Sequence, residues 1–197
     1  MEEKITYFEE PGKINTEETL RLVKERALRR GIKKAVLATH TGFTVAKALD
    51  IFRDTGIKLI IVQGGGVKAW INTDLIEKAE REGHSWLRRD KIKMSTYHYP
   101  ELAQNTLRRF CEGMKVCVQI VLMATEAGMI SKGEEVIAVG GTGYYDFEER
   151  GGGADTAVVM EAIDSRSFFD VSFDKEERRK FKEREGRKIK EIICKPI

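Results

Sequence analysis

The residues best suited to chemistry fall in three loops. The first closes the stretch Ala35-Val36-Leu37-Ala38-Thr39-His40-Thr41-Gly42-Phe43-Thr44, in which a short apolar run gives way to hydroxyls around a glycine. The run reads as a buried strand. Val45, Ala48, Leu49 and Phe52 then follow at helical spacing, which predicts a helix starting at Thr41 or Gly42 with Thr41 able to cap it. Free N–H groups at a helix start carry partial positive charge, and Thr39, Thr41 and Thr44 would add hydroxyl donors at the same point, the outline of an anion site. Gly42 would let a ligand approach the backbone. The same residues also fit a plainly capped helix whose hydroxyls face water. The second loop is Gln63-Gly64-Gly65-Gly66, and the third runs from Gly140-Gly141-Thr142-Gly143 to Gly151-Gly152-Gly153 and Ala154-Asp155-Thr156.

Strands must place these loops. Ile57-Lys58-Leu59-Ile60-Ile61-Val62, Val136-Ile137-Ala138-Val139 and Ala157-Val158-Val159-Met160 are near-continuous apolar runs, as a sheet covered on both faces requires. Residues 5–8 form a short first strand, 91–95 a weaker edge strand, and 189–194 a last strand near the sheet edge. Helices alternate with them. One is signalled by Asn15-Thr16-Glu17-Glu18, with Leu20, Val23, Ala27 and Leu28 inward and an end at Gly31. Another carries Leu75, Ile76 and Ala79, and a third runs over 99–112 with Leu102, Thr106, Leu107 and Phe110 inward. Residues 113–128 hold many β-branched side chains, yet Glu112, Lys115, Gln119 and Glu126 share one helical stripe and Gly128 stands where a helix would stop, so this segment is a buried helix. The charged stretch 174–187 reads as a solvated helix. The expected fold is one α/β domain over 1–197, three layers with a mostly parallel central sheet. In such a sheet ligands bind beyond the carboxyl ends of the strands, where the winding direction switches, and all three loops belong on that edge.

Composition narrows the partners. Thirty-five basic and 32 acidic residues leave a net charge of only +3, without the basic field that nucleic acid would need. No apolar stretch is long enough to span a bilayer and Met-Glu-Glu-Lys opens no apolar leader, so a cytoplasmic protein without a membrane partner is expected. Cys111, Cys117 and Cys194, with His40, His84 and His98, show no metal-ligand spacing, and the cysteines are expected to be packed as small hydrophobes. Apolar edge strands, including Ile192-Ile193, suggest a symmetric homo-oligomer. A high share of Glu, Lys and Arg suits surface ion-pair networks.

At the motif level the chain resembles the C-terminal α/β domain of pyruvate kinase. The turn Thr39-His40-Thr41-Gly42-Phe43-Thr44-Val45-Ala46 is similar to T-x-S-G-x-T-A there, and Gly128 with Lys132-Gly133-Glu134-Glu135-Val136-Ile137 is similar to G-x-x-x-K-G-D-x-V-I. Asp155-Thr156-Ala157 stands where that domain has T-N-T. A closer likeness is to stand-alone microbial proteins of the pyruvate kinase α/β-domain-like family, carried by Tyr7-Phe8-Glu9-Glu10-Pro11-Gly12, Gly113-Met114-Lys115-Val116-Cys117-Val118, Gly153-Ala154-Asp155-Thr156-Ala157 and Glu191-Ile192-Ile193-Cys194-Lys195-Pro196. The resemblance implies a phosphorylated small-molecule ligand and, from the family's association with bound flavin mononucleotide (FMN), a flavoprotein whose phosphate sits at the Thr41 helix start. Two features depart from the family pattern. Gln63-Gly64-Gly65-Gly66 replaces a more polar, often histidine-bearing loop, and residues 144–150 lengthen a loop that is usually tight.

The likeness covers an accessory domain and not the barrel that carries phosphoryl-transfer residues, so kinase activity is not expected. Two functions of different class fit: a non-catalytic module that binds FMN, and an oxidoreductase in which bound FMN carries the reaction. The residues expected around the ligand are Thr39, His40, Thr41, Gly42, Thr44, Gln63, Gly64, Lys115, Gly140, Gly141, Thr142, Gly143, Asp155 and Thr156. His40 would hydrogen-bond the ligand or pass a proton. Asp155 would orient its loop or act as a base. Lys115 would reach an anion or lie in water.

Overall fold

Alternating apolar strands and amphipathic helices build one seven-stranded sheet in the order β1-β7-β6-β5-β2-β3-β4. The computed structural model describes residues 2–64, 72–92, 100–142, 152–169, 175–176, 179 and 188–197. The elements are β1 (Thr6–Phe8), α1 (Thr16–Arg30), β2 (Lys34–Thr39), α2 (Phe43–Ile51), β3 (Lys58–Gln63), α3 (Thr73–Arg81), β4 (Ser85–Leu87), α4 (Glu101–Arg108), α5 (Glu112–Glu126), β5 (Glu135–Gly140), β6 (Thr156–Glu161), α6 (Ser165–Phe169) and β7 (Ile189–Pro196). The predicted helix over 174–187 lies mostly outside the described residues. Among those that are described, no helix is long and apolar enough to cross a membrane.

Alternation along each strand sends side chains into two separate cores. Ala35 and Leu37 of β2 and Leu59 and Ile61 of β3 meet Leu20, Val23 and Ala27 of α1, Val45, Ala48 and Leu49 of α2, and Ile76 of α3. Val36, Ile60 and Val62 point the other way, onto Cys117, Val118, Val121 and Leu122 of α5. Burial on both faces accounts for the continuous apolar runs. The sheet is mostly parallel, and β6 alone runs against its neighbours β5 and β7.

Several local expectations are corrected. The strand that pairs with β3 on its outer side is β4, Ser85–Leu87; of the predicted 91–95 strand Lys91 ends a 3-10 turn (Arg89–Lys91) and 93–95 lie outside the described residues. The last strand does lie near the sheet edge, second from it, with β1 pairing in parallel outside it along Cys194, Lys195 and Pro196. The predicted helix over 99–112 is the shorter α4, followed by a break before α5; Leu102 and Thr106 on α4 and Phe110 in the break are exposed, and among the described residues α4 packs chiefly on α5. Leu28 of α1 is exposed as well. Asn15 precedes α1 as predicted, but its side chain donates to Glu10 O at 2.6 Å instead of capping the helix.

The charged residues do form a network at the amino ends of the central strands. Arg26, 6 % exposed, pairs with Glu191 and Glu3, and Arg30 reaches Glu191 at 2.7 Å and Glu135 at 2.8 Å. Lys190 adds a contact to Glu135 at 3.0 Å, so α1 is clamped to β5 and β7 by several charges that share partners.

His84 closes the β3–β4 pair at the same edge, its Nδ1 accepting from Leu59 N at 3.2 Å. That bond needs the unprotonated nitrogen, and burial holds the imidazole below its usual pKa against the pull of Glu82. A lowered folded pKa means that the unfolded chain binds the proton first on acidification. The stabilisation is therefore complete above about pH 6.5, the unfolded value, and declines as pH falls through the lower folded value. Thermal melts between pH 7.5 and 5 should show a loss of stability in wild type that His84→Asn lacks; parallel pH profiles for the two proteins would refute the assignment.

Candidate functional site

The chain winds outward from β2 through α2 to β3 and through α3 to β4, then returns through α5 on the opposite face to β5, on the other side of β2. The winding direction thus switches between β2 and β5, the place where an open α/β sheet leaves a crevice. A cavity of about 400 Å³ opens there, bounded by the carboxyl ends of β2 and β3, the start of α2 and one side of α5. Its size falls within the range of small-molecule sites. Another hollow, at the amino ends of β3 and β4, is rimmed by Arg53, Asp54, Lys58 and Glu82 and lies away from the predicted loops.

The β2–α2 turn is built differently from the expectation. The helix starts at Phe43, and its N-cap is Gly42, whose φ of 89° lies in the left-handed region that glycine tolerates. The buried Thr39 hydroxyl accepts from Gly42 N at 3.0 Å, so Thr39 shapes the turn, while the exposed Thr41 hydroxyl accepts from Phe43 N at 3.4 Å. Each hydroxyl keeps its own proton to donate. Thr44, only 4 % exposed, lines the cavity and its hydroxyl has no hydrogen-bond partner among the described residues. Two cations surround the turn. Lys13 Nζ lies 4.5 Å and Lys47 Nζ 5.2 Å from the Phe43 ring centroid, and Lys47 also pairs with Glu17.

Of the predicted residues, Thr39, His40, Thr41, Thr44, Gln63, Gly64, Lys115 and Gly141 line the cavity together. His40 sits against Gly64, where an added Cβ would come 3.4 Å from the imidazole Cε1. Gly42, Gly140, Thr142, Asp155 and Thr156 do not line it. Gly143, Gly65, Gly66 and the lengthened 144–150 loop fall outside the described residues.

Asp155 is a structural tie. It is fully buried, and its carboxylate accepts from Gly12 N at 2.8 Å, Thr142 N at 3.1 Å and Thr156 Oγ1 at 2.7 Å. The glycines around it serve close contact between protein segments. A Cβ on Gly113 would lie 2.1 Å from Thr156 Oγ1, one on Gly140 would lie 2.8 Å from Gly113 O, and one on Gly141 would lie 2.4 Å from Gly153 O. These approaches let the start of α5 sit on the β5–β6 edge.

Arg89, Ile92, Glu112, Val116, Gln119, Ile120 and Met123 also line the cavity, and the motif reading missed them. Glu112, Lys115, Val116, Gln119, Ile120 and Met123 recur at spacings of three and four along α5, so one stripe of that helix forms the wall. Glu112, Lys115 and Gln119 were legible as a polar stripe, but nothing in the sequence told what the stripe faces. Lys115 Nζ pairs with Glu112 Oε1 at 2.7 Å, and Glu112 Oε2 is held by Arg108 Nε at 2.8 Å. Ala38 and Val62 complete an apolar floor between this wall and the α2 turn.

The thiols are not poised to react. Burial pushes Cys111 up, Cys117 well up, and Cys194 up to about 12, which keeps all three protonated at neutral pH. Among the described residues, no group of three or more His, Cys, Asp or Glu side chains is placed to hold a metal ion. No known family model matches this chain.

The tie at Asp155 makes a direct prediction. Asp155→Ala strands the N–H groups of Gly12 and Thr142, at a cost of about 1–3 kcal/mol for each buried donor left unpaired. Urea unfolding should show the loss as a fall in midpoint; a midpoint equal to wild type would mean that the carboxylate does not hold the loops.

Proposed function

We propose that this protein binds a phosphorylated small molecule with a planar ring, FMN, in the crevice between the α2 turn and α5, on a fold like the C-terminal domain of pyruvate kinase. The observation that carries the reading is Thr44, a residue 4 % exposed that lines the cavity at a helix start and whose hydroxyl has no partner among the described residues. A hydroxyl left open to a cavity beside a helix start fits a site whose partner is a ligand. The donor set suits a phosphate: the Thr39 and Thr41 hydroxyls take up the Gly42 and Phe43 amides and keep their own protons, and with the Thr44 hydroxyl they line the cavity at the positive end of α2, with Lys13 and Lys47 close by. The floor and wall suit a ring, since Ala38, Val62, Ile120 and Met123 offer apolar surface on the far side of the same cavity. The likeness of the Thr39–Thr44 turn to the phosphate-binding turn of pyruvate kinase supports the same reading.

When bound, FMN would supply electron-transfer chemistry through its ring. This chain's residues would contribute binding and orientation, with Gln63, Gln119 and Lys115 as the polar groups facing the ring and His40 close to the phosphate turn. We place the function in ligand binding.

Titration by quenching of flavin fluorescence tests the proposal. Hydrogen bonds to a charged group contribute about 1.5–3 kcal/mol each, so wild type should prefer FMN to riboflavin by at least about tenfold, and Thr44→Val should lose about tenfold in FMN affinity with riboflavin unchanged. Equal affinity of wild type for the two flavins would overturn the assignment of the phosphate to this turn.

A further inference from the structure

The α5 wall is polar at only a few points, and two of them lie one turn apart on the same stripe. Lys115 and Gln119 both line the cavity, separated by the i, i+4 spacing that stacks side chains on one helix face. Lys115 is held by Glu112 at 2.7 Å, which uses one of the three protons of its ammonium group. The Gln119 carboxamide has no hydrogen bond among the described residues, although it is half-buried and flanked by Val116, Ile120 and Met123, which offer it nothing polar. Its N–H and its C=O are therefore both open to whatever occupies the cavity.

Read along the helix face, the wall offers an ammonium donor and then an adjoining acceptor and donor. The complementary edge is acceptor, donor, acceptor: two carbonyl groups flanking an N–H. We propose that the ring bound against α5 carries such an imide edge, as in a pyrimidinedione or the pyrimidine end of an isoalloxazine, and that Gln119, seconded by Lys115, is the residue that selects it. The inference rests on the phosphorylated-ring reading of the cavity and adds which edge of the ring α5 reads and the residue that reads it. It also sets a rejection rule. A ring with a blocked imide N–H leaves the Gln119 oxygen facing an alkyl group, and a site built to hydrogen-bond a ligand discriminates strongly against the analogue that cannot answer.

The probes are FMN, FMN methylated at the imide nitrogen (N3), and riboflavin, titrated by fluorescence against wild type and Gln119→Met, a substitution of similar length that keeps apolar contact with Ile120 and Met123. Wild type should bind FMN at least about tenfold more tightly than the N3-methyl analogue, and Gln119→Met should bring that ratio to within about threefold while leaving the preference for FMN over riboflavin intact. A wild type that favours FMN over riboflavin yet binds both phosphorylated flavins equally would overturn the imide inference alone. The same holds if a folded Gln119→Met keeps the full ratio. A wild type that binds no flavin, or binds riboflavin as well as FMN, would overturn the parent reading and this inference with it. Thermal melting reports whether the variant folds; if it does not, the N3-methyl comparison on wild type decides.

Discussion

One buried carboxylate holds together the edge of the sheet on which the cavity opens. Asp155 has no exposed surface and accepts three hydrogen bonds from three places in the chain: the loop before α1, the segment after β5, and the first residue of β6. A buried charge is tolerated only where donors replace its lost water, and here two of the donors are backbone N–H groups that would otherwise be orphans themselves. Each part of the contact needs the other. With the carboxylate in place, Gly12, Thr142 and Thr156 occupy fixed positions, and Thr16, at the start of α1, adds a bond from Ala154 N at 3.0 Å.

That tie allows α5 to come close. Thr156 lies directly under Gly113, and Gly140 under the Gly113 carbonyl, at distances where any side chain would collide. The first turn of α5 is therefore pressed onto the β5–β6 edge while α2 starts on the other face of the sheet, and the two helices leave between them the crevice that the reversal of winding creates. The cavity follows from this arrangement of backbone. Its chemical character comes from which stripe of α5 and which turn after β2 are directed into it.

The sequence carried the element types well and their surroundings poorly. Apolar runs at 58–62 and 136–139 could only be strands buried on both faces, and the polar stripe through Lys115 and Gln119 outweighed the β-branched residues of α5 because periodicity reports a helix more directly than composition does. Direction left no trace: an apolar run such as that of β6 reads the same parallel or antiparallel. The three-residue β4 is too short for a pattern, and Leu102 and Leu107 give α4 apolar positions without saying whether anything covers them. Glycine was the most instructive ambiguity. Gly140, Gly141 and Gly153 were legible as places of close approach, which they are, but the approaching group is the protein's own backbone more often than a cavity. A glycine tells that a side chain is excluded and is silent on what excludes it.

The polar groups around the cavity divide by whether the protein answers them. Thr39 is fixed by Gly42 N, Lys115 by Glu112, and Glu112 in turn by Arg108, so these groups hold their positions before any ligand arrives. Thr44 and Gln119 have no such partner among the described residues, and each stands beside the apolar floor. Leaving these two open while their neighbours are pinned lowers the ordering cost of binding and keeps the hydrogen bonds available for something from outside. These positions lie on opposite walls, a hydroxyl at a helix start that suits an anion and a carboxamide on an apolar face that suits a flat polar-edged ring, and the proposed ligand is the one whose two ends match that separation.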